Sequence, residues 1–500
     1  MKIEIVEAKS PKRGSLVIVV GEGGHLGSFG LAADKQLGGA LTRAMKAAPR
    51  FSGAKGQWLE VVSPGGGLSR VLLAGLGKAP DVKAAAYEAI GGEAVRRLAA
   101  TGETDLAIAA EVLKATVLPA AEAAARAALG ARLGGYRFDK YRTRMKDREK
   151  PSLKVVSVLS TAVPAAKKLY LPLDKLADGV TLTRNLVTEP ANVIYPASLA
   201  AECRKLARLG VKVEVLGERE MKKLGMGALL GVGQGSDRES QLVVMQWNGG
   251  KKGAKPVSFV GKGVCFDTGG ISLKPALGME EMKWDMGGAG AVIGAMAAIA
   301  GRKAKANVVG VVALVENMPS GKAQRPGDIV TSMSGQTIEV QNTDAEGRLI
   351  LCDAMWYTQQ RFKPQLMVDL ATLTGAIIIS LGHEHAGLFS NNDRLSEQLT
   401  AAGKAEDELV WRLPLMEAYD EGLKSPIADM QNIAGPGFGA GSIVAAQFLQ
   451  RFVVDKTPWA HLDIAGTAWS KKDKPTVPKG ATGFGVRVLN RLVADYYEDK

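Results

Sequence analysis

Cysteine, histidine and aromatic residues are scarce in this 500-residue sequence. It has 3 cysteines, 4 histidines and an aromatic content of 5%. Cys203, Cys265 and Cys352 lie far apart and include no Cys-x-x-Cys spacing, so no dithiol or cysteine-rich metal site is indicated. Unpaired thiols are typical of the reducing cytosol. We expect Cys265 to be a small buried filler rather than a reactive group.

Long apolar runs are also absent. The longest, residues 370–381, is too short to cross a bilayer and contains Thr and Ser. Residues 1–14 lack the apolar core of a secretory signal. These absences predict a soluble cytoplasmic protein. The length exceeds that of one ordinary domain, so two or more domains are expected.

Motifs for nucleophilic catalysis and nucleotide binding are missing as well. No Gly-x-Ser-x-Gly elbow follows a clear strand. Residues 21–27 lack Gly-x-Gly-x-x-Gly spacing, and residues 75–78 lack the flanks of a P-loop, so both are better explained as tight turns. His383 and His385 form a His-x-His pair, but in a glycine-flanked loop a surface or supporting role is more common than zinc ligation. His461 opens a predicted core strand, where we expect it to be packed and hydrogen-bonded.

Positive charge exceeds negative charge, with 64 Lys and Arg against 51 Asp and Glu and a formal net charge of +13. A basic surface attracts nucleic acid, and residues 136–144 interleave aromatics with cations. An additional architectural DNA-binding role is therefore the alternative function. The excess is modest for this length, however, and packing explains the aromatics better. A third hypothesis, nucleotide or ADP-ribose binding by residues 1–160, is one that we expect to fail.

The most informative segment is residues 342–349, Asn-Thr-Asp-Ala-Glu-Gly-Arg-Leu. If the segment is extended, Asp344, Glu346 and Arg348 share one face. Two converging carboxylates repel each other and favour a cation between them, and the guanidinium can hold an anion beside it. Taken alone, the segment is also typical of a solvated acidic turn before a helix.

Upstream segments supply partners for these carboxylates. Residues 257–264 are predicted to form a buried strand that runs into glycine-rich turns, and residues 279–299 are predicted to form a helix. The candidate ligands on and between these segments, together with the acidic pair, are Lys262, Asp267, Asp285, Asp344 and Glu346. Four carboxylates and one amine suit a pair of divalent ions in an oxygen-rich site.

Further distinctive blocks accompany the segment 342–349. They are residues 261–263, 266–267, 269–270, 273–275, 282–286, 316–319, 325–328, 369–376 and 461–467. In this order they resemble the leucyl aminopeptidase family, whose members are cytosolic dinuclear-metal aminopeptidases. The resemblance is close from residue 180 onward and loose before it, and several independent blocks are far more specific than one short motif.

The resemblance implies roles for individual positions. The residues that align with the family's metal ligands are Lys262, Asp267, Asp285, Asp344 and Glu346. The residues that align with its catalytic basic residues are Lys274 and Arg348. The residues that align with its substrate-binding positions are Met282, Thr372, Leu373 and Gly375. Each ligand and catalytic position carries the expected residue type, so no substitution indicates an inactive enzyme.

The implied activity is metal-dependent release of N-terminal residues, with Leu and Met favoured, from short peptides. Two divalent ions per subunit would lower the pKa of a bridging water, and the hydroxide would attack the first peptide bond. Manganese and zinc are foremost, although cobalt and magnesium also suit these ligands. Lys274 would stabilise the oxyanion, and Arg348 would hold bicarbonate as the proton acceptor. Lys262 must lose its proton to bind metal, which predicts an alkaline activity optimum.

The predicted fold class is α/β with two domains. Residues 1–160 are predicted to form an N-terminal α/β domain that, by the resemblance, is similar to macro domains. Residues 161–187 would form a connecting helix, and residues 188–500 the larger catalytic domain with a mostly parallel sheet. Its ligands would lie at the carboxyl ends of strands. The resemblance also implies a homohexamer whose active sites face an interior cavity.

Overall fold

The computed structural model describes residues 1–454 and 456–499. The chain divides into two compact units, one of Met1–Ala177 with Lys472–Lys479 and one of Asp178–Lys471 with Gly480–Lys500. Both units combine sheets with helices, so the predicted α/β class is confirmed. The predicted functional boundaries at residues 160 and 187 stay predictions.

The first unit is built on a seven-stranded sheet. Its strands are β1 (Lys2–Glu7), β2 (Gly14–Gly21), β3 (His25–Leu26), β4 (Trp58–Gly65), β5 (Leu68–Gly77), β6 (Asp105–Ala109) and β7 (Val155–Ser160). Its helices are α1 (Ser28–Gln36), α2 (Ala40–Ala47), α3 (Ala84–Leu98) and α4 (Ala120–Gly134). The strand order is β1-β7-β6-β2-β5-β4, with β3 paired to β2. Strands β1, β7, β6, β2 and β5 run parallel, and β4 is antiparallel to β5.

A long helix, α5 (Val163–Thr188), follows this sheet and contains Pro172. Helical apolar spacing in residues 167–187 agrees with this helix, and the alanine-rich stretches 83–100 and 120–129 agree with α3 and α4. In α3, 9 of 15 residues are buried, and in α4, 12 of 15 are buried, so α4 is enclosed on nearly all sides.

The second unit is larger. Its strands are β8 (Lys212–Leu216), β9 (Gln241–Asn248), β10 (Val257–Asp267), β11 (Asn307–Asn317), β12 (Ile329–Thr331), β13 (Thr337–Glu339), β14 (Leu366–Ala371), β15 (Ala386–Ser390), β16 (Val410–Arg412), β17 (Met430–Gln431), β18 (Trp459–Asp463), β19 (Trp469–Ser470) and β20 (Gly480–Ala481). Its helices are α6 (Pro196–Arg204), α7 (Glu218–Lys223), α8 (Gly227–Gly233), α9 (Gly287–Gly301), α10 (Gly347–Phe362), α11 (Gly375–Leu381), α12 (Asp393–Glu406), α13 (Glu417–Asp420), α14 (Gly441–Gln450) and α15 (Val486–Tyr496).

An eight-stranded sheet in the order β16-β15-β18-β14-β10-β11-β9-β8 forms the centre of the second unit. Its four central strands, β18, β14, β10 and β11, are parallel, as predicted. Strands β15 and β9 run antiparallel to the central strands beside them. A separate small sheet joins β12, β13 and β17. Parallel central strands are buried on both faces, which explains the uninterrupted apolar runs in β10 and β11.

The helix predicted over residues 279–299 is wrong in part. A 3-10 helix, Met279–Trp284, comes first, and α9 begins only at Gly287. Asp285 lies at the break because its carboxylate is engaged across the fold by other side chains. A Cβ atom on Gly288 would lie 2.0 Å from the Leu370 carbonyl oxygen, so glycine lets α9 pack directly on the sheet. Apolar spacing alone does not register such a break.

None of the helices in the described part of the chain is both long enough and apolar enough to cross a membrane.

Candidate active site

The lysine and carboxylates singled out from the sequence meet at the carboxyl ends of neighbouring central strands. Lys262 lies within β10, and Asp267 is its last residue. Asp285 precedes α9, and Asp344 and Glu346 precede α10. Loops after adjacent parallel strands share one edge of a sheet, which is where open α/β sheets bind ligands.

The acidic side chains are close enough to share cations. Ligand atoms of Asp267, Asp344 and Glu346 all lie within 4.8 Å of one another. The Lys262 Nζ atom lies 2.8 Å from Asp285 Oδ2 and 2.7 Å from Glu346 Oε1. All five sequence-predicted ligands therefore belong to one cluster, although they come from segments separated by up to 84 residues.

The two sequence-predicted catalytic residues border this cluster. Lys274 Nζ lies 2.9 Å from Asp267 Oδ2 and also contacts Asp344. Arg348, in the first turn of α10, is buried and donates from Nη1 to the Asn432 carbonyl at 2.8 Å. Its Nε atom is buried and has no hydrogen-bond partner among the described residues. The Nε–H group on the edge of the guanidinium is therefore available to bind an anion.

The segment 342–349 is not extended. A turn at residues 342–346 leads directly into α10, and Glu346 already has helical backbone angles. The conditional expectation of a strand-like face is therefore wrong, and the alternative of an acidic turn before a helix describes the local structure. The turn brings Asp344 and Glu346 together because the chain reverses rather than because alternate residues share a face.

Burial and mutual repulsion govern the titration of the acidic cluster. Burial, reinforced by Glu346, raises the pKa of Asp267 to about 7. Burial also raises the pKa of Asp285 well above its ordinary value, although Lys262 partly offsets this. Burial would raise the pKa of Glu346 too, but the charges of Lys262 and Lys274 lower it overall. The cluster is therefore short of positive charge.

The two lysines remain charged in this environment. Burial alone would lower the pKa of Lys262, but Asp285 and Glu346 outweigh burial and raise it. Lys274 behaves in the same way, because Asp267 and Glu346 outweigh burial and raise its pKa. Burial lowers the pKa of Arg348 to about 10, which leaves the guanidinium cationic at neutral pH.

The donor set fits divalent cations. Asp285 Oδ2, Asp344 Oδ1 and Glu346 Oε1 are shielded from solvent, yet they accept no hydrogen bond from the described residues. Their close contacts are ion pairs with the ammonium groups of Lys262 and Lys274, which supply two positive charges for four carboxylates. Buried carboxylates that exceed the neighbouring positive charge are costly unless further cations bind them. Carboxylate oxygens are also the ligands that hard divalent ions prefer.

Several supporting residues were not recognised from the sequence. Thr372 accepts from Lys262 Nζ at 2.9 Å through its carbonyl, and its hydroxyl donates to Asp285 Oδ1 at 2.6 Å. Asn317, the last residue of β11, donates to Asp267 Oδ1 at 2.8 Å. Asn317 lies in one of the distinctive sequence blocks, which was the available signal. Thr372 was assigned only to substrate binding.

A glycine permits the close approach of two ligand-bearing loops. Gly269 has φ +88°, and a Cβ atom there would lie 2.4 Å from the Ser272 carbonyl oxygen and 3.0 Å from Asp344 Oδ1. Only glycine combines this backbone conformation with this proximity. Gly269, two residues after Asp267, is therefore a structural requirement of the site.

The sequence-predicted substrate residues lie around the cluster. Met282 is half-buried in the 3-10 helix before Asp285, and Thr372 and Leu373 follow β14. Gly375, the first residue of α11, is exposed. The structure contains no peptide, so their contacts with substrate stay predictions.

The other singled-out polar residues have structural partners. His461 is fully buried, and its Nδ1 lies 2.6 Å from Asp369 Oδ1, so the packed role predicted for it is confirmed. His383 Nδ1 lies 2.8 Å from the Gly466 carbonyl oxygen, and His385 packs edge-on against Trp411. The three cysteines are buried and free, as expected for fillers.

The amino-terminal end of α1 in the first unit is occupied by a side chain. Glu111 accepts from Ser28 Oγ and the Phe29 backbone N–H, each at 2.8 Å, and from the Gly30 N–H at 3.2 Å. These are the donors that a phosphate would need at such a helix terminus. This carboxylate supports our expectation that the unit does not bind nucleotides, which stays a prediction.

The fold and the site define a two-domain α/β protein with an acidic cluster at the carboxyl ends of central parallel strands. Family models agree in both units: the catalytic domain of the cytosol aminopeptidase family matches residues 181–490, and its N-terminal domain matches residues 17–145. The chain belongs to the cytosol aminopeptidase family. The resemblance noted from the sequence is confirmed, and the chain is an aminopeptidase and therefore a hydrolase.

Individual relatives show the same similarity over full length. A probable cytosol aminopeptidase of Caulobacter vibrioides is 59% identical over 503 residues and covers 100% of both chains. Among solved structures, a tomato leucine aminopeptidase mutant is 34% identical with a TM-score of 0.88, covering 99% of this chain and 96% of that one. The bottromycin maturation enzyme BotP in complex with Mn is 34% identical with a TM-score of 0.84, covering 97% and 99%.

Proposed function

We propose that this aminopeptidase is metal-dependent and holds two divalent ions, manganese or zinc foremost, in the acidic cluster. The observation that carries the proposal is one cluster in which four carboxylates meet only two ammonium groups, with ligand atoms of Asp267, Asp344 and Glu346 within 4.8 Å of one another. The manganese complex of BotP, a structural relative, supports it. The residues that would hold the ions are Lys262, Asp267, Asp285, Asp344 and Glu346. Bound divalent ions lower the pKa of water and so supply a nucleophile near neutral pH.

The basic residues of this chain would carry the remaining chemistry. The ammonium group of Lys274, kept charged by Asp267 and Glu346, would stabilise the oxyanion that develops on the carbonyl of the first peptide bond. Arg348 would hold a small anion, with bicarbonate as our proposal, through its unpartnered Nε atom. That anion would accept the proton of the attacking water, as the family resemblance implies.

Lys262 links metal binding to pH. Its carboxylate neighbours hold its ammonium form, so the amine must release a proton before it can bind a metal ion. Metal uptake would therefore release a proton and become tighter as pH rises. The alkaline optimum expected from the sequence stays our proposal, and a pH profile of kcat/KM that peaks in acid would contradict it.

Substrates would be short peptides with a free N-terminus. Met282, Thr372 and Gly375 would line the pocket for the first side chain, with Leu and Met favoured, and the Leu373 carbonyl would orient the peptide. A homohexamer and a cytoplasmic location complete the proposal. The location is supported by the names of the relatives, and both are inferred from the family.

Metal removal tests the proposal directly. We expect purified protein to contain two divalent ions per chain, and chelation to abolish hydrolysis of a leucine anilide until Mn²⁺ or Zn²⁺ is returned. Glu346→Gln keeps the side-chain shape but removes the charge. It should lower kcat/KM by more than ~100-fold, the upper end of the loss that is typical when a residue supporting a metal ligand is replaced. Exposed Glu421→Gln is the matched control. Full turnover after chelation would refute metal dependence.

DNA binding remains the alternative, and the structure offers it little support. In the segment 136–144, Arg137 pairs with Asp139 at 2.7 Å and Arg142 pairs with Glu149 at 2.9 Å. Paired cations have less charge to offer to phosphates. A gel shift at low salt that disappears at high salt would establish the role, and no shift at low salt would exclude it.

A further inference from the structure

Asn432, which follows β17 on the small sheet, contacts the acidic turn through its side chain. We propose that Asn432 is a positioning residue that fixes the turn 342–346 in its ligand-bearing conformation and thereby sets the affinity of the site for divalent cations. This inference rests on the proposed metal dependence. Sequence spacing gave no sign of it, because Asn432 lies 86 positions beyond Glu346 on an irregular loop.

The Asn432 side chain forms hydrogen bonds with the turn through both of its polar atoms, Oδ1 and Nδ2. Oδ1 accepts from the backbone N–H of Gln341 at 2.8 Å and from that of Asn342 at 3.3 Å. Nδ2 donates to the carbonyl oxygens of Asn342 at 2.7 Å and Ala345 at 3.3 Å. Asn432 is fully buried. A side-chain amide is suited to this position because it offers an acceptor and two donors at once.

The contacts bracket the two acidic residues of the turn. Asp344 and Glu346 lie on either side of Ala345, whose carbonyl Asn432 holds. Within the turn, the Asp344 N–H donates to Asn342 Oδ1 at 2.8 Å, so a shift of Asn342 would move Asp344 with it. The backbone atoms that Asn432 binds are therefore the ones that determine where both carboxylates are directed.

A second set of contacts to the turn comes from the loops after β10 and β11. Thr343 donates to the Gly269 carbonyl at 2.6 Å, and its own carbonyl accepts from Asn317 Nδ2 at 3.0 Å. These contacts tie the turn to the loops after β10 and β11, which carry Asp267. Asn432 ties it to the small sheet. Loss of Asn432 would leave the turn attached but free to rotate about Thr343.

The backbone of Asn432 extends the connection to Arg348. Its carbonyl accepts from Arg348 Nη1 at 2.8 Å, and its N–H donates to the Glu339 carbonyl at 3.0 Å in β13. One residue thus joins the acidic turn, the catalytic arginine and the small sheet. A change of side chain leaves the backbone contact with Arg348 available, so its effect should appear first in cation binding.

The test measures Mn²⁺ binding to metal-free full-length protein by isothermal titration calorimetry. Replacing a residue that supports metal ligands without binding the metal typically lowers metal affinity by about 10- to 100-fold. We therefore expect Asn432→Ala to bind Mn²⁺ about 10- to 100-fold more weakly than the unaltered protein. The matched control is Asn307→Ala. Asn307 lies at the opposite end of β11, where it accepts from Gly250 and donates to Lys251 and Ala254. Its loss should lower the thermal midpoint without weakening Mn²⁺ binding.

The outcomes separate this inference from the proposed function. If the unaltered protein binds no Mn²⁺, the proposed metal dependence fails and the inference fails with it. If it binds Mn²⁺ and Asn432→Ala binds equally tightly, or if Asn307→Ala weakens binding as much, positioning by Asn432 is refuted while metal dependence survives. If Asn432→Ala does not fold, Asn432→Ser is the second variant. Its hydroxyl keeps a polar group in the same space but is too short to bind both the N–H groups and the carbonyl groups of the turn. It should also bind Mn²⁺ more weakly than the unaltered protein, and equal affinity would refute the proposal.

Discussion

Lys262 lies between two buried carboxylates, and its charge offsets their repulsion. Its Nζ atom contacts Asp285 and Glu346 and donates to the Thr372 carbonyl, so one side chain joins three segments. Ion pairs of this kind are costly to assemble, but removing one partner costs more because a buried charge is left uncompensated. We therefore expect Lys262 to support folding as well as the proposed metal binding.

Replacing Lys262 with methionine should destabilise the metal-free protein. Lys262→Met keeps the length of the side chain but leaves Asp285 and Glu346 facing each other, at a cost of about 3–5 kcal/mol in the free energy of unfolding. Denaturant titration at neutral pH measures this. The exposed control Lys322→Met should change it by no more than about 0.5 kcal/mol. Equal stability of the two variants would show that Lys262 does not hold the cluster together.

The acidic cluster could be recognised in the sequence, whereas its supports could not. Hard divalent ions prefer carboxylate oxygens, so Asp267 and Glu346 could be selected as candidate ligands, a role that stays a prediction. Asn432 and Asn317 are ordinary amides whose roles arise only when residues from distant parts of the chain meet. Their hydrogen bonds to the site span 26 to 91 positions in the chain, and no local pattern encodes such contacts.

The positions of the site residues depend on where secondary-structure elements begin and end, and the start of α11 is an example. The helix begins at Gly375, two residues after the sequence-predicted substrate residue Leu373. Thr374 caps it, because its Oγ1 accepts from the Ile377 N–H at 3.2 Å and donates to Asp463 Oδ2 at 2.7 Å. Asp463 also accepts from the Leu373 N–H at 3.1 Å. The start of one short helix thus fixes the loop that borders the active site.

Removing this cap should affect both stability and substrate binding. Thr374→Ala removes a capping acceptor and a donor to buried Asp463, so we expect a loss of about 1–2 kcal/mol in unfolding free energy. KM for a leucine anilide should rise several-fold because Leu373 loses its fixed orientation. Thr374→Ser retains the hydroxyl and should resemble the unaltered protein in both measurements. If serine performs as poorly as alanine, the methyl group and not the hydroxyl orders the loop.

Element boundaries were the least predictable level. Apolar spacing placed β10 and α5 correctly because both bury continuous apolar faces. Apolar spacing missed the break before α9, where the ion pair of Asp285 with Lys262 interrupts the helix. It also missed the turn at residues 342–346, where hydrogen bonds from other segments determine the backbone conformation. Both failures occur at the site, where function requires irregular backbone.

The molecule as a whole brings distant segments together at one edge of a parallel sheet. The sequence indicated this architecture because strand and helix patterns alternate. It did not indicate which acids the fold buries away from the site. Glu408, between α12 and β16, is buried and accepts from the Gly485 N–H at 3.1 Å and the Val488 N–H at 2.9 Å, at the start of α15. Burial raises its pKa from 4.5 to about 7.

This carboxyl should make global stability depend on pH. Between its unfolded and folded pKa values, the folded protein keeps a proton that the unfolded chain has released, so stability is greatest below the unfolded pKa and falls as pH rises toward 7. At ~1.4 kcal/mol per pKa unit, the loss is about 3 kcal/mol. Glu408→Gln mimics the protonated carboxyl and does not titrate. Its unfolding free energy relative to the unaltered protein should therefore increase by about that amount between about pH 4 and about pH 8.

Denaturant titrations across this range, with the exposed Glu421→Gln as the control, measure the difference. The acidic cluster titrates in both proteins and cancels in the comparison, because the charged groups that shift the pKa of Glu408 are Arg487 and Glu406 and not residues of that cluster. A constant difference between Glu408→Gln and the unaltered protein would mean that folding does not change the pKa of Glu408. The charge of Arg487 and the two backbone N–H donors at the start of α15 would then offset burial, and α15 would be held by a charged rather than a neutral cap at neutral pH.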